Sequence, residues 1–262
     1  MTIFKHEIKR NIKKLYIWCG AVSSLIVLCL MIYPEMKSNV DDIMDLYANL
    51  GDFSAAFGMD RLSFGTVMGF YAIECGTMIG IGGAFFAALL GIDILSKEEN
   101  YKTSEFLLTH PISRRRVVCE KLFSILTIII VFNLTCMIVS MLSIAIINET
   151  ILWKEFLLFH LGQIILHTEI ACICFAASAF IKRGGIGIGL GIAALLYFLS
   201  IFANITDSLE FLKYITPFQY GDAANIISTS KLDGVLIAIG LIVTAISIFI
   251  GFYKYETKDI SA

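Results

Sequence analysis

No Gly-Lys dipeptide occurs anywhere in the 262 residues. A G-x-x-x-x-G-K-[ST] phosphate loop is therefore excluded, and with it conventional ATP hydrolysis by this chain. No H-E-x-x-H occurs either, so a zinc-protease helix is excluded. Charge is scarce: Asp, Glu, Lys and Arg make up 16% of the residues, against about 25% in soluble domains. The net charge of −2 provides no basic field for nucleic acid. The seven cysteines are Cys19, Cys29, Cys75, Cys119, Cys136, Cys172 and Cys174; six fall in apolar runs and Cys119 in a basic loop. That distribution does not suit a disulfide framework. Cys172-x-Cys174 is not a zinc spacing, and both read as small apolar helix residues, so no metal site is expected.

What is abundant is apolar surface, at 58% of residues with a mean hydropathy of +0.82. It is segregated into six runs, 15–33, 66–95, 122–147, 156–181, 186–205 and 235–253. About 20 apolar residues cross a ~30 Å hydrocarbon core as a helix, and these runs meet or approach that length. The expected fold is an all-α membrane protein, one transmembrane domain over 1–262 with six transmembrane helices. The second run is longer than a span needs and rich in glycine (Gly69, Gly76, Gly80, Gly82, Gly83, Gly91), which predicts a tilted, kinked or broken helix.

None of the 20 lysines and arginines lies within a run. With a cytoplasmic N-terminus, 15 of them fall in inner segments: Lys5, Lys9, Arg10, Lys13 and Lys14; Lys97, Lys102, Arg114, Arg115, Arg116 and Lys121; Lys182 and Arg183; Lys254 and Lys258. Only five fall outside: Lys37, Arg61, Lys154, Lys213 and Lys231. This asymmetry predicts a multi-pass protein of the cell membrane with both termini cytoplasmic.

The first run is longer than the apolar stretch of a signal peptide, and no small-x-small site follows Tyr33-Pro34-Glu35, so an uncleaved span is expected. Ahead of it, Phe4, Ile8, Ile12 and Leu15 recur at helical spacing among basic residues. That pattern fits an N-terminal amphipathic interfacial helix that turns into the membrane; it fits equally a basic tail that only sets topology. In the outer segment 34–65, Ile43, Leu46, Leu50 and Phe53 predict a short amphipathic helix, and its six acids read as a solvated face. Phe211, Tyr214, Phe218 and Tyr220 suit a membrane interface.

The inner segment 96–121 is the most informative. Ser96-x-x-Glu99 has the form of a capping box. Tyr101, Glu105 and Leu108 follow at helical spacing, and Phe106-Leu107-Leu108 forms an apolar knob. Pro111 stops that helix and Ser113 caps the next. A short stiff helix tethered to two spans can carry force from a soluble partner, or simply lie at the interface.

Glu98-Glu99 followed by Ser104-Glu105-Phe106-Leu107-Leu108-Thr109-His110-Pro111-Ile112-Ser113-Arg114 resembles the signature of ABC-2 type permeases. The glycine usual at its start is replaced by Asn100-Tyr101-Lys102. The likeness extends to the layout: a basic amphipathic start, six spans, a sizeable loop after the first, and Tyr214-Ile215-Thr216-Pro217-Phe218-Gln219-Tyr220 before the last. The resemblance implies a permease subunit, not itself an enzyme, that pairs with a second copy or a homologous permease. Two cytosolic ATPase subunits carrying ATP and Mg would bind beneath it, and no cofactor would sit on this chain. The segment after the second span would be the cytoplasmic coupling helix, with Glu98, Glu99, Glu105, Phe106, Leu107, Leu108, Pro111 and Arg114 at the ATPase. The family implies export; an apolar bundle in contact with membrane lipid suits a hydrophobic or amphipathic cargo such as a peptide, drug or lipid.

Five ionisable residues fall within the runs: Glu74, Asp93, His160, His167 and Glu169. Asp93 and His160 lie near run ends and read as interfacial polarity. Glu74 and His167 lie at comparable depth, which puts a Glu74–His167 or Glu74–Glu169 contact within reach. These groups either line a pathway or join helices by hydrogen bonds. A proton- or ion-coupled secondary transporter using Glu74 and Glu169 is the alternative, although no inverted repeat is visible. Gly76-x-x-x-Gly80, Gly185-x-x-x-Gly189 and Gly187-x-x-x-Gly191 predict close helix packing.

Overall fold

The computed structural model describes residues 2–40, 54, 59, 61–97, 113–181, 185–205 and 207–258. Six helices are long and apolar enough to cross a membrane: α1 (Thr2–Ser38), α2 (Val67–Asp93), α3 (Arg114–Ile146), α4 (Trp153–Ser178), α5 (Ile186–Ile205) and, after the short helix α6 (Ala223–Thr229), α7 (Gly234–Thr257). A 3-10 helix, Asp207–Tyr214, connects α5 towards α6. Among the described residues there is no strand.

Helices α2 and α4 form the buried centre. α1 packs along α3, α7 along α4, and α5 along α2. The central pair approach closely because α2 offers glycine at the contacts. A Cβ on Gly83 would overlap the imidazole of His167, and one on Gly91 would overlap the carbonyl of Ala171. The peripheral helices keep apolar outer faces, with Tyr16, Ile17 and Leu28 on α1, Leu195 and Phe198 on α5, and Leu241 and Phe249 on α7. That arrangement suits a bundle solvated by lipid.

Three local outcomes sharpen the expectations. The N-terminal segment is not a separate element: α1 runs for 37 residues without a break, about 55 Å, so its first turns continue the span rather than turning into it. The glycine-rich second span does contain an irregularity, a π-helical stretch from Tyr71 to Cys75 between α-helical turns. Such insertions change the phase of a helix and recur at functional sites. The face predicted for the 34–65 segment on Ile43, Leu46, Leu50 and Phe53 lies outside the described residues.

The helix ends are built by recognisable signals. Ser113 caps α3 as its sequence position predicts, its hydroxyl accepting from the amide of Arg116 at 3.3 Å. At the other end Asn148 takes the left-handed conformation (φ 58°). There the amides of Asn148 and Glu149 donate to the carbonyls of Ala145 (3.1 Å) and Ile144 (3.3 Å), the pair of hydrogen bonds that closes a helix on an αL residue. Asp222 and Asp233 cap α6 and α7 through amides at 2.9–3.2 Å.

Of the aromatic residues expected at an interface, Phe211 and Tyr214 are exposed, but Phe218 and Tyr220 are buried. The chain between the 3-10 helix and α6 folds inward against α4 and α5, with the Phe218 ring 5.3 Å from that of Tyr197.

Candidate functional site: the frame at the loop ends and the polar network between the helices

The inner segment joins α2 to α3, and both of its ends are described. On the α2 side, the ammonium of Lys97 pairs with Glu7 of α1, and both side chains are buried. Lys121, wholly buried in α3, lies 3.6 Å from the same carboxylate and donates to the carbonyl of Ile94 at 2.6 Å. A buried carboxylate between two ammonium groups offsets the desolvation that would make any of the three costly alone.

The first two turns of α3 cap three other helices. Lys121 satisfies the C-terminal carbonyl of Ile94, the cap residue of α2. Glu120 accepts from the amides of Ile3 (3.0 Å) and Phe4 (3.1 Å) at the start of α1, and its other oxygen accepts from Arg116 at 3.0 Å. Arg114 donates to the carbonyls of Glu256 (3.2 Å) and Lys258 (2.8 Å) at the end of α7. In each case the sign of the side chain opposes the partial charge of the helix end it meets. Residues 113–121 thus make contact with the ends of α1, α2 and α7 while forming the start of α3.

Of the eight coupling residues expected from the resemblance, Glu98, Glu99, Glu105, Phe106, Leu107, Leu108 and Pro111 lie outside the described residues. Arg114 is described, and it grips the end of α7. Ser96, read as a cap for a following helix, donates back to the carbonyl of Ile92 at 3.4 Å and so serves the end of α2.

The polar residues between the helices are not joined as the sequence suggested. His167 Nδ1 is 3.0 Å from Asn133 Oδ1 on α3, and Nε2 is 3.2 Å from the carbonyl of Gly80 on α2. One imidazole thus ties three helices together. Glu169 accepts a hydrogen bond from the hydroxyl of Tyr220 at 2.6 Å. Glu74 stands apart from both, half-buried in the π-helical stretch. The structure therefore brings neither His167 nor Glu169 into contact with Glu74. The two buried groups hold helices together through other partners.

His160 corrects an expectation. It is buried rather than interfacial, with Nε2 3.0 Å from the hydroxyl of Tyr71, which also donates to Ser140 at 2.9 Å. Phe156 and Phe159 pack edge-on to its ring. Helical spacing from Phe156 carries His160 to the same inward face of α4 as Gln163 and His167. The spacing of His160, Gln163 and His167 predicts that shared face; only the reading of His160 as interfacial, from its place near the run's end, is overturned.

Of the predicted glycine pairs, Gly76 packs on Ala223, 2.9 Å from the place of its missing Cβ, and Gly185 and Gly189 pack on Ile92 at 3.0 Å. Gly187 and Gly191 meet nothing within 4 Å among the described residues, so that pair makes no packing contact with them. Sequence reasoning missed Glu7, Glu120, Asn133 and Tyr220. Glu7 carried a faint signal as an isolated acid in a basic amphipathic segment. Among the described residues, no group of three His, Cys, Asp or Glu side chains is arranged to hold a metal.

A search of curated proteins found no match. The family model for ABC-2 family transporter proteins matches residues 1–260, nearly the whole chain. With this match over nearly the whole chain and six helices long and apolar enough to cross a membrane, the chain belongs to the ABC-2 transporter family and is a multi-pass transport permease of the membrane.

Proposed function

We propose that this chain is the membrane subunit of an ATP-driven exporter of hydrophobic or amphipathic molecules, powered by two separate cytosolic ATPase subunits. It lies in the cell membrane with both termini cytoplasmic, a single transmembrane domain over its whole length, and builds the pathway with a second permease copy or a homologous permease. The segment 98–113 is the docking element. Glu98, Glu99 and Glu105 present charge, and Phe106, Leu107 and Leu108 fill a groove on the ATPase.

The observation that carries the reading is the frame at the loop ends. Lys97 is fixed to α1 through Glu7, and the turns after Ser113 cap α1, α2 and α7. A tether held only by α2 and α3 would bend two helices when pushed. This one engages four, which suits a rigid-body change of the bundle. The absence of a phosphate loop requires the hydrolysis to come from elsewhere.

The test is substitution in the knob. Phe106→Asp and Leu107→Asp abolish association with the ATPase, or ATP-driven transport, while membrane insertion is unchanged. Normal transport and full partner retention from both variants would overturn the assignment.

A further inference from the structure

Three sulfur atoms meet where α1 packs on the π-helical stretch of α2. Sγ of Cys29, on α1, lies 3.9 Å from Sδ of Met78, and its thiol is hydrogen-bonded to that of Cys75. Cys75 ends the π-helical stretch and Met78 follows three residues later, so the two share one face of α2. Cys75 is fully buried, whereas Cys29 and Met78 are half-buried. The cluster thus has a closed back and an open side. It lies one helical turn, about 6 Å, from Tyr33, whose hydroxyl donates to the carbonyl of Gly65 at 3.1 Å at the end of the bundle away from the coupling frame.

Two thiols and a thioether are soft ligands, and together they select Cu(I) over harder ions. Structural zinc takes four ligands from Cys, His and carboxylates. Among the described residues, no third side chain of those types joins Cys29 and Cys75 in such a set. The separation also fits a shared ion. At about 2.3 Å per bond, a typical metal–sulfur length, two sulfurs 3.9 Å apart subtend roughly 116° at one ion, close to a trigonal three-ligand site. Glu74, beside Cys75 in the chain, acts electrostatically on both thiols and favours a cation between them. The π-helical insertion lies immediately before Met78, and irregularities of this kind recur at functional sites.

We propose that Cys29, Cys75 and Met78 form a Cu(I) site that bridges α1 and α2. Loading converts the two thiols to thiolates, which bind the ion together with the thioether; two protons leave to water and no electron is transferred. The site rests on this chain's own side chains and does not depend on the ATPase reading.

The experiment titrates the purified chain in nanodiscs, under nitrogen with ascorbate, against the coloured Cu(I) complex of bicinchoninate. The wild type takes one equivalent from the chelator that Cys29→Ser does not take. Met78→Leu, which conserves volume, weakens that equivalent by at least about tenfold, since losing even an outer-shell partner of a metal ligand costs that much. Cys119→Ser, which removes a thiol on α3 away from the cluster, leaves it unchanged. Copper X-ray absorption counts three sulfur neighbours in the wild type and two in Met78→Leu. No equivalent taken by the wild type, unchanged affinity in either Cys29→Ser or Met78→Leu, loss of the equivalent in Cys119→Ser, or its displacement by an equal concentration of Zn(II) would overturn the proposal. If Cys29→Ser does not fold, Met78→Leu and the sulfur count decide. Failure here leaves partner retention by the chain untouched, and loss of partner retention leaves this binding untouched.

Discussion

Glu7 and Lys97, ninety residues apart in the chain, form a buried ion pair where the polypeptide leaves α2 for the inner segment. The pair fixes the start of that segment to α1, and Lys121 shares the same carboxylate from α3. Removing one member of a buried pair leaves the other charge uncompensated, at a cost of about 3–5 kcal/mol. Glu7→Gln removes the carboxylate that both ammonium groups share and destabilises the chain by that order. Lys97→Met leaves Glu7 with Lys121 and is the milder change. Unfolding in mixed micelles by denaturing detergent checks the ranking, and equal stability of both variants with the wild type would remove the frame from the account.

The contact of Gly83 with His167 sets how closely α2 and α4 approach. Gly83→Ala drives a methyl into the imidazole and costs about 1–3 kcal/mol through overpacking. It also displaces the ring from Asn133 and the carbonyl of Gly80. The same unfolding assay reads the loss. A neutral Gly83→Ala would mean that the central pair is looser than described.

Tyr220 donates to Glu169 across the interface between α4 and the segment preceding α6. Tyr220→Phe keeps the ring and removes the donor, costing about 1–3 kcal/mol because the carboxyl stays buried. Glu169→Leu combined with Tyr220→Phe costs less than the sum of the single changes, the signature of a direct pair. Strict additivity in the double-mutant cycle would contradict the contact.

Arg114 closes the end of α7 by donating to the carbonyls of Glu256 and Lys258. Arg114→Ala frays that end, and amide exchange in 254–258 accelerates several-fold while exchange in the middle of α7 is unchanged. Ser113→Ala removes the cap of α3 and costs about 1 kcal/mol. Unchanged exchange at the end of α7 in Arg114→Ala would detach that helix from the frame.

The six spans were legible because length and hydropathy suffice to define an apolar helix in lipid. Ser113 was legible because a cap is a local contact between a side chain and an amide three residues on. The π-helical stretch at Tyr71–Cys75 was visible only as a glycine-rich, overlong run, since nothing in composition fixes where a helix changes phase. Phe218 and Tyr220 look like interfacial aromatics by type, yet burial depends on how the chain folds back on α4 and α5. The roles of Glu7 and Glu120 were not legible because their partners, Lys97 and the amides of Ile3 and Phe4, lie far away in sequence. The Glu74 contact failed for a related reason: depth in the membrane places two residues at one level without saying which faces of their helices meet.

The central claim is that an ATPase acts on this permease through the segment held by that frame. Site-specific photocrosslinking from Leu107 in intact cells tests it most directly. A benzophenone side chain there captures a protein that mass spectrometry identifies as carrying a G-x-x-x-x-G-K-[ST] phosphate loop, and the same label at Leu152, the exposed residue just before α4, captures none. Capture of lipid or of a second permease copy alone from Leu107, in cells that carry out ATP-driven export through this chain, would contradict the account.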